Sequence, residues 1–287
     1  MNIKRYCVGF NTFAVDVAEG VLRGDYDKFL AEGQTIDGSE IFTLTIDETP
    51  IDLDGFEEEV TQEEEGQLIG AGHIGNRNVF QFGLEGVITG ILDCSADYKT
   101  AHLGIIGGKL RHYTTDNALM VLYALASAQK MTLLMHASTV VNGGRAYLFL
   151  APSGTGKSTH SQLWLQNVPF TRLLNDDNPV ITIIDGKAIV SGSPWSGKTP
   201  CYVNESYPVG ALVYITRAKY NRIRRMSKIE AYGSVLTSTS GKRWERTLAD
   251  GIHKALEFVV GNVPTYRLEC LPDAEAAKVC SGEVAKC

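Results

Sequence analysis

Residues Ala151 to Thr159 read Ala-Pro-Ser-Gly-Thr-Gly-Lys-Ser-Thr and join two segments of opposite character. The run before them, Ala146–Leu150, is continuously apolar and short enough for a buried strand. The segment after them opens near Lys157, carries Leu163, Trp164 and Leu165, and reads as a helix. Glycines at 154 and 156 let the backbone turn its N–H groups inward around the oxygens of an anion. Lys157 adds a positive charge, the Ser158 hydroxyl suits a hard cation, and the helix N-terminus adds its own field. Ala151 stands where the strict pattern has its first glycine, yet strand, loop and helix follow in the required order. The expectation is a nucleoside triphosphate site contacted by Ser153, Gly154, Thr155, Gly156, Lys157, Ser158 and Thr159.

Composition narrows what surrounds that loop. The chain has 287 residues, 44% of them hydrophobic, enough for one large domain or a catalytic domain with a smaller companion. Its formal net charge is −6 and its basic residues are dispersed, so nucleic acid is not expected as a partner. The six cysteines, at 7, 94, 201, 270, 280 and 287, form no close pair with metal-ligand spacing. They read as reduced thiols of a cytoplasmic protein. No apolar run reaches the length of a membrane span, so no membrane association is expected.

The chain changes character near residue 113. Before it, short alternating stretches such as Ile41–Ile46 and Val79–Phe82 are separated by Gly, Asp and Asn, which suggests a mainly β region over 1–112. The acidic runs Glu57–Glu59 and Glu63–Glu65 read as solvated surface or a mobile loop. From 113 to 287 the pattern is α/β and holds the loop. Thr114, Thr115 or Asp116 is expected to cap a helix with Leu119, Leu122, Tyr123 and Leu125 on its apolar side. Thr132–Val141 reads as a strand interrupted by His136, and Asn142-Gly143 turns it back into the loop strand. Thr171–Leu174, Val180–Ile184, Ala188–Val190, Val209–Ile215 and Thr265–Cys270 read as further strands. Trp244–Val260 and Asp273–Val279 read as helices. The basic stretch with Arg222, Arg224, Arg225 and Lys228 reads as a solvated helix or loop face. Trp195 reads equally as a stacking surface and as a loop anchor.

Asp176 and Asp177 end a strand shortly after the loop helix. One carboxylate there can hold a metal and the other can accept a proton from an attacking hydroxyl. Side by side they repel, and Lys157 with Mg²⁺ is the countercharge at hand. His136, alone in an apolar segment, reads as readily as a satisfied core residue as a functional one.

The succession Met135-His136-Ala137-Ser138, hairpin, Ser153-Gly154-Thr155-Gly156-Lys157-Ser158-Thr159, then Asn175-Asp176-Asp177 resembles the catalytic core of HPr kinase/phosphorylase. It is also similar to the nucleotide-binding core of ATP-dependent phosphoenolpyruvate carboxykinase. The match spans approximately 133–184. The resemblance implies a mixed α/β phosphoenolpyruvate carboxykinase/HPr kinase-like P-loop core, using ATP and Mg²⁺. It implies His136 near the γ-phosphate, Asp176 as general base, and Ser158 with Asp177 on the metal beside Lys157. Lys198, in Gly192-Ser193-Pro194-Trp195-Ser196-Gly197-Lys198-Thr199, would contact phosphate or substrate. That segment stands where HPr kinase has a glycine-rich signature which this chain lacks.

The activity implied is a kinase acting on a Ser or Thr hydroxyl of a small protein or peptide. The alternatives are a carboxykinase-like enzyme acting on a small carboxylic acid, and a nucleotide-binding regulator without turnover. Assembly into a homo-oligomer is compatible with all three. If Lys157 holds phosphate, Lys157→Ala lowers Mg²⁺-ATP affinity by at least about tenfold and leaves the fold intact. Calorimetric titration checks the first, circular dichroism the second.

Overall fold

In the computed structural model, which describes residues 2–197 and 199–285, alternation of apolar and polar residues builds the first sheet. Contacts divide the chain into Met1–Ser127 and Ala128–Cys287. The first unit contains strands β1 (Asn2–Val8), β2 (Asn11–Val17), β3 (Thr43–Asp47), β4 (Glu57–Glu64), β5 (Gln67–Ile74), β6 (Arg77–Leu84), β7 (Val87–Cys94) and β8 (Thr100–Ile105). Among the described residues they form a sheet in the order β1-β2-β3-β8-β7-β6-β5-β4. In β3, Leu44 and Ile46 are buried while the threonines and aspartate between them are not, the period of two that a one-sided sheet demands. The acidic runs expected as solvated surface or a mobile loop are exposed, but all except Glu65 lie in β4, which among the described residues pairs with β5 alone, at the sheet's end. Solvated carboxylates on an edge strand discourage pairing with another chain, so the exposure was legible and the strand was not.

Helix α1 (Arg111–Ala126) closes this unit, and its start differs from expectation. It begins at Arg111, and Thr114 and Thr115 are buried within it. The Thr114 hydroxyl bonds the Leu110 carbonyl at 3.1 Å, while Asp116 accepts from Arg23 at 2.8 Å and Tyr26 at 2.9 Å. Tertiary partners therefore take the groups read as caps. The Tyr123 hydroxyl donates to the Val8 carbonyl at 2.7 Å, and its ring meets Phe13 edge-on at 6.1 Å. These contacts assign the helix to the first unit, so the division falls after Ser127 rather than after residue 112.

The second unit contains β9 (Thr132–Leu134), β10 (Ala137–Asn142), β11 (Arg145–Leu150), helix α2 (Lys157–Asn167), β12 (Arg172–Asn175), β13 (Val180–Ile184) and β14 (Lys187–Ser191). It continues through β15 (Ser206–Arg217), β16 (Arg222–Arg225), α3 (Lys228–Thr237), α4 (Arg246–Asn262), β17 (Thr265–Cys270) and α5 (Ala274–Val284). The β10–β11 hairpin closes with Asn142 opposite Arg145, and Gly143 and Gly144 both take positive φ, as a two-residue turn requires.

Strand β15, 12 residues long, joins two ladders. Its first residues pair with β14, up to Pro208 opposite Ile189, and from Val209 it pairs parallel with β11. Proline has no N–H to give a ladder and sits where the pairing changes hands. Further along, β15 runs parallel to β17. Of the basic stretch expected on a solvated helix or loop face, Arg222, Arg224 and Arg225 are exposed but lie in β16, paired with β17, with Arg222 and Arg224 bonded to Glu269 and Glu230, while Lys228 opens α3.

Beneath the β10, β11, β15 and β17 ladder lies a core that includes Phe149, Trp164, Val213, Leu268, Ala277 and Cys280, with α2 and α5 as its helical side. Helix α4 buries Leu248, Ile252, Ala255, Leu256 and Val259, a stripe at helical spacing. Among the described residues no helix is long and apolar enough to cross a membrane.

Gly192, just past β14, has no room for a side chain: a Cβ there would lie 1.9 Å from the Val203 carbonyl oxygen. Gly192→Ala is expected to cost about 1–3 kcal/mol through forced backbone displacement, read as a lower urea midpoint.

Candidate functional site

Three strands end close to one another around the glycine-rich loop. The apolar run of β11 delivers the chain to Ala151, and α2 starts at Lys157 with Gly156 before it at φ 125°. Gly154 also takes a positive φ, 68°, so both glycines use backbone conformations that side chains disfavour. The loop rim is open: Ser153, Gly154 and Thr159 are exposed, Thr155, Gly156 and Ser158 half-buried. Arg217, at the end of β15, holds the outer side of the loop. Its Nε donates to the Thr155 carbonyl at 3.2 Å and its Nη2 to the Gly154 carbonyl. In a planar trans peptide, a carbonyl held outward aims the next N–H the opposite way, here that of Gly156.

Lys157 is 8% exposed although it is a lysine. Its ammonium donates to the Ala151 carbonyl at 3.1 Å and to His136 Nε2 at 2.9 Å. The same imidazole nitrogen lies 3.4 Å from Asp177 Oδ1. Three of the residues singled out from sequence are thereby brought into one line: Lys157, His136, Asp177. His136 does not sit within a strand as expected. It falls in the gap between β9 and β10, where its N–H is bonded to the Ser238 carbonyl at 2.7 Å, and the next N–H, of Ala137, to the Asp177 carbonyl at 2.8 Å. β9 pairs with β13 and β10 with β11 and β12, so the chain bends from one ladder to the other at His136. That bend explains a half-exposed histidine inside an apolar sequence.

The two aspartates have different surroundings. Asp177 Oδ2 accepts from the Asn178 amide at 2.8 Å. Burial pushes the Asp177 carboxyl above the ordinary carboxylate range, with His136 and Lys157 pulling it back and Asp176 adding to the rise. Asp176 is 3% exposed, and its Oδ1 accepts from the Ser138 hydroxyl at 2.8 Å. Ser138 also lies 2.5 Å from the Ser161 hydroxyl of α2. A serine has one proton, so with Ser138 donating to Asp176, Ser161 donates to Ser138. Asp176 Oδ2 is buried and has no partner among the described residues.

Asn175 sets the pair's backbone. Its Oδ1 accepts from the N–H groups of Asp177 at 2.9 Å and Asn178 at 2.8 Å, a side-chain turn that ends β12. Its Nδ2 donates to Ser193 Oγ and to the Trp195 carbonyl, both at 3.1 Å. The 193–197 segment is thus fastened against the aspartates, and a Cβ on Gly197 would lie 3.2 Å from that of Asp177. Trp195, 3% exposed, is a loop anchor rather than a stacking surface. Lys198 lies outside the described residues, so its expected contact has no counterpart here.

Ser138, Ser161, Asn175 and Arg217 were not singled out from sequence as site residues. Ser138 and Asn175 do adjoin the motifs that were, and adjacency to His136 and to the aspartates is the signal that could have found them. Ser161 and Arg217 carry no such signal, because their partners lie 23 and 62 residues away.

No family model and no curated protein matches this chain. Among solved structures it is similar to the HPr(Ser) kinase/phosphatase from Coxiella burnetii, at 12% identity and TM-score 0.33, over 53% of this chain and 97% of that one.

Ser138→Ala removes the donor to Asp176 and the acceptor of Ser161 in one step, leaving both groups buried. The expected loss is about 1–3 kcal/mol, measured by urea unfolding.

Proposed function

We propose that this chain is a Mg²⁺- and ATP-dependent phosphotransferase with a P-loop core of the HPr kinase and phosphoenolpyruvate carboxykinase type. Its acceptor is a Ser or Thr hydroxyl on a small protein or peptide. The observation that carries this reading is the line from Lys157 through His136 to Asp177, set at the mouth of the glycine-rich loop. A lysine drawn into the structure, with its ammonium held by the Ala151 carbonyl and His136, is placed to offer its charge to a phosphate. A carboxyl raised above the ordinary carboxylate range beside it suits proton transfer.

The residues also fit a metal. Asp176 Oδ2 is a buried acceptor without a partner, and Ser158 follows Lys157 at the helix start. Among the described residues no group of three or more His, Cys, Asp or Glu side chains could hold a metal. One carboxylate completed by a hydroxyl, phosphate oxygens and water is a ligand set that suits Mg²⁺. When bound, Mg²⁺ neutralises charge on the β- and γ-phosphates.

The family resemblance implies Asp176 as the base and Asp177 as the metal's ligand. Burial supports the opposite assignment: Asp176, tied to Ser138, serves the metal with Ser158, and Asp177, with its side chain 34% exposed, meets the acceptor. The acceptor oxygen attacks the γ-phosphorus, its proton passes to Asp177, and the bond to the β-phosphate oxygen breaks to leave ADP. Lys157 and the loop N–H groups stabilise the charge that develops. His136 accepts from Lys157 and so holds the ammonium in place between the loop and Asp177.

The test is incubation with γ-labelled ATP and Mg²⁺ in extract of the source cells. Label in a protein or peptide is the expected result, and label confined to a small carboxylic acid would favour the carboxykinase-like alternative. Asp177→Asn is expected to lower transfer by about a hundredfold or more with ATP still bound. His136→Ala is expected to keep its stability and lose transfer. In the intact protein, transfer falls as the pH drops through the raised Asp177 pKa, so its acid limb lies above the ~3.9 of an ordinary aspartate. An acid limb at that ordinary value would remove Asp177 as the base.

A further inference from the structure

Strand β15 outruns one of its two parallel neighbours. Its pairing with β11 ends with Tyr214 opposite Leu150, while its pairing with β17 runs on to Arg217 opposite Cys270. The Ala218 N–H then donates to the Cys270 carbonyl at 3.0 Å. The strand end that carries Arg217 is therefore fastened to β17 and stands beside the loop that leaves β11. From there the guanidinium reaches two successive carbonyls, that of Gly154 through Nη2 and that of Thr155 through Nε. Nε and Nη2 share one edge of a rigid planar fork, so a single orientation of the side chain makes both bonds.

The loop rim has little packing of its own. Gly154 is exposed, and a Cβ built on it would meet nothing within 4 Å. An apolar cleft of about 360 Å³ and a hollow of about 380 Å³ both border the rim, and Gly154, Thr155 and Arg217 line each of them. Each of the two peptides that Arg217 holds adjoins a glycine, Gly154 or Gly156, so neither is locked by local sterics. The first is gripped at both ends: its N–H, of Thr155, donates to the Pro152 carbonyl at 3.2 Å, and its carbonyl, of Gly154, accepts from Arg217. In the second, the Thr155 carbonyl accepts from Arg217, and the N–H of Gly156 points the opposite way.

We infer that Arg217 is a positioning residue for phosphate binding: it keeps the Gly154 and Thr155 carbonyls turned out of the loop, so that the Gly156 N–H faces the anion. The inference rests on the phosphate-loop reading and adds what sets the shape of the loop before a ligand arrives. A peptide turned over here would set a carbonyl oxygen against a phosphate in place of an N–H. Donors held in position beforehand need no rearrangement when the anion enters. The rival role is a direct charge contact between the guanidinium and the phosphates. The geometry favours the brace, because the Nε–Nη2 edge is already taken by the two carbonyls.

Arg217→Gln separates the two roles, since its amide nitrogen falls where Nε stands and carries no charge. The experiment is calorimetric titration of the full chain with tripolyphosphate in Mg²⁺. It is paired with NMR measurement of solvent exchange at the Thr155 amide in the ligand-free protein. Arg217→Ala is expected to weaken tripolyphosphate binding at least about tenfold. It is also expected to speed Thr155 exchange at least about threefold, because the peptide loses the grip on its carbonyl. Arg217→Gln is expected to bind tripolyphosphate at least about threefold more tightly than Arg217→Ala and to slow the exchange again. Wild-type affinity in Arg217→Ala, unchanged Thr155 exchange in that variant, or an Arg217→Gln protein that binds no better than Arg217→Ala overturns the inference. Failure of the wild type to bind tripolyphosphate overturns the phosphate-loop reading, and the exchange measurement still decides whether Arg217 holds the rim.

Discussion

A lysine ammonium drawn out of water is the constraint around which the second unit is organised. Charge at such depth is costly unless every donor finds a partner, and Lys157 finds the Ala151 carbonyl and His136. Each partner comes from a different piece of chain. Ala151 ends β11, and His136 occupies the bend between two ladders. Asp177, which adds the compensating negative charge, follows β12. The arrangement holds only if the three strands stop at the same level, so the sheet register and the site are one problem. The β10–β11 pairing, with Ala137 opposite Leu150, brings the strand leading from His136 level with the end of the loop strand.

The neighbouring aspartate is treated differently by the same structure. Asp176 receives one hydrogen bond through a pair of serines, one on β10 and one on α2, and keeps an oxygen unmatched. A buried carboxylate oxygen without a partner is unfavourable in a protein with no use for it. Asn175 fixes the peptide between these carboxyls by accepting two N–H groups and donating to the segment that covers them. Two adjacent acidic residues thus acquire separate environments, Asp176 from the Ser138 hydroxyl and Asp177 from the approach of His136.

Much of this was legible in the chain itself. The Asn142-Gly143-Gly144 turn, the apolar loop strand, the helix start at Lys157 and the strand at Thr265–Cys270 depend on neighbours in sequence, and they stand where local rules put them. What failed was local reading of residues with distant partners. Thr114 and Asp116 look like caps until Leu110, Arg23 and Tyr26 take their polar atoms. Arg222 and Arg224 are exposed as they look, but β17 draws them into a strand and Glu269 and Glu230 pair their charges, which no local rule shows.

The sequence by itself determined that a glycine-rich, lysine-bearing loop lies between a strand and a helix, with a histidine before it and paired carboxylates after it. Spacing and backbone preference suffice for that, because both act over a few residues. Only the tertiary structure decided which aspartate meets His136, that Arg217 braces the loop, and that an apolar cleft opens beside it. Those outcomes depend on the parallel register of β11, β15 and β17, set by burial of residues as far apart as Phe149, Val213 and Leu268. Hydrophobic burial has no direction along the chain, and so leaves no local mark from which such a register could be read.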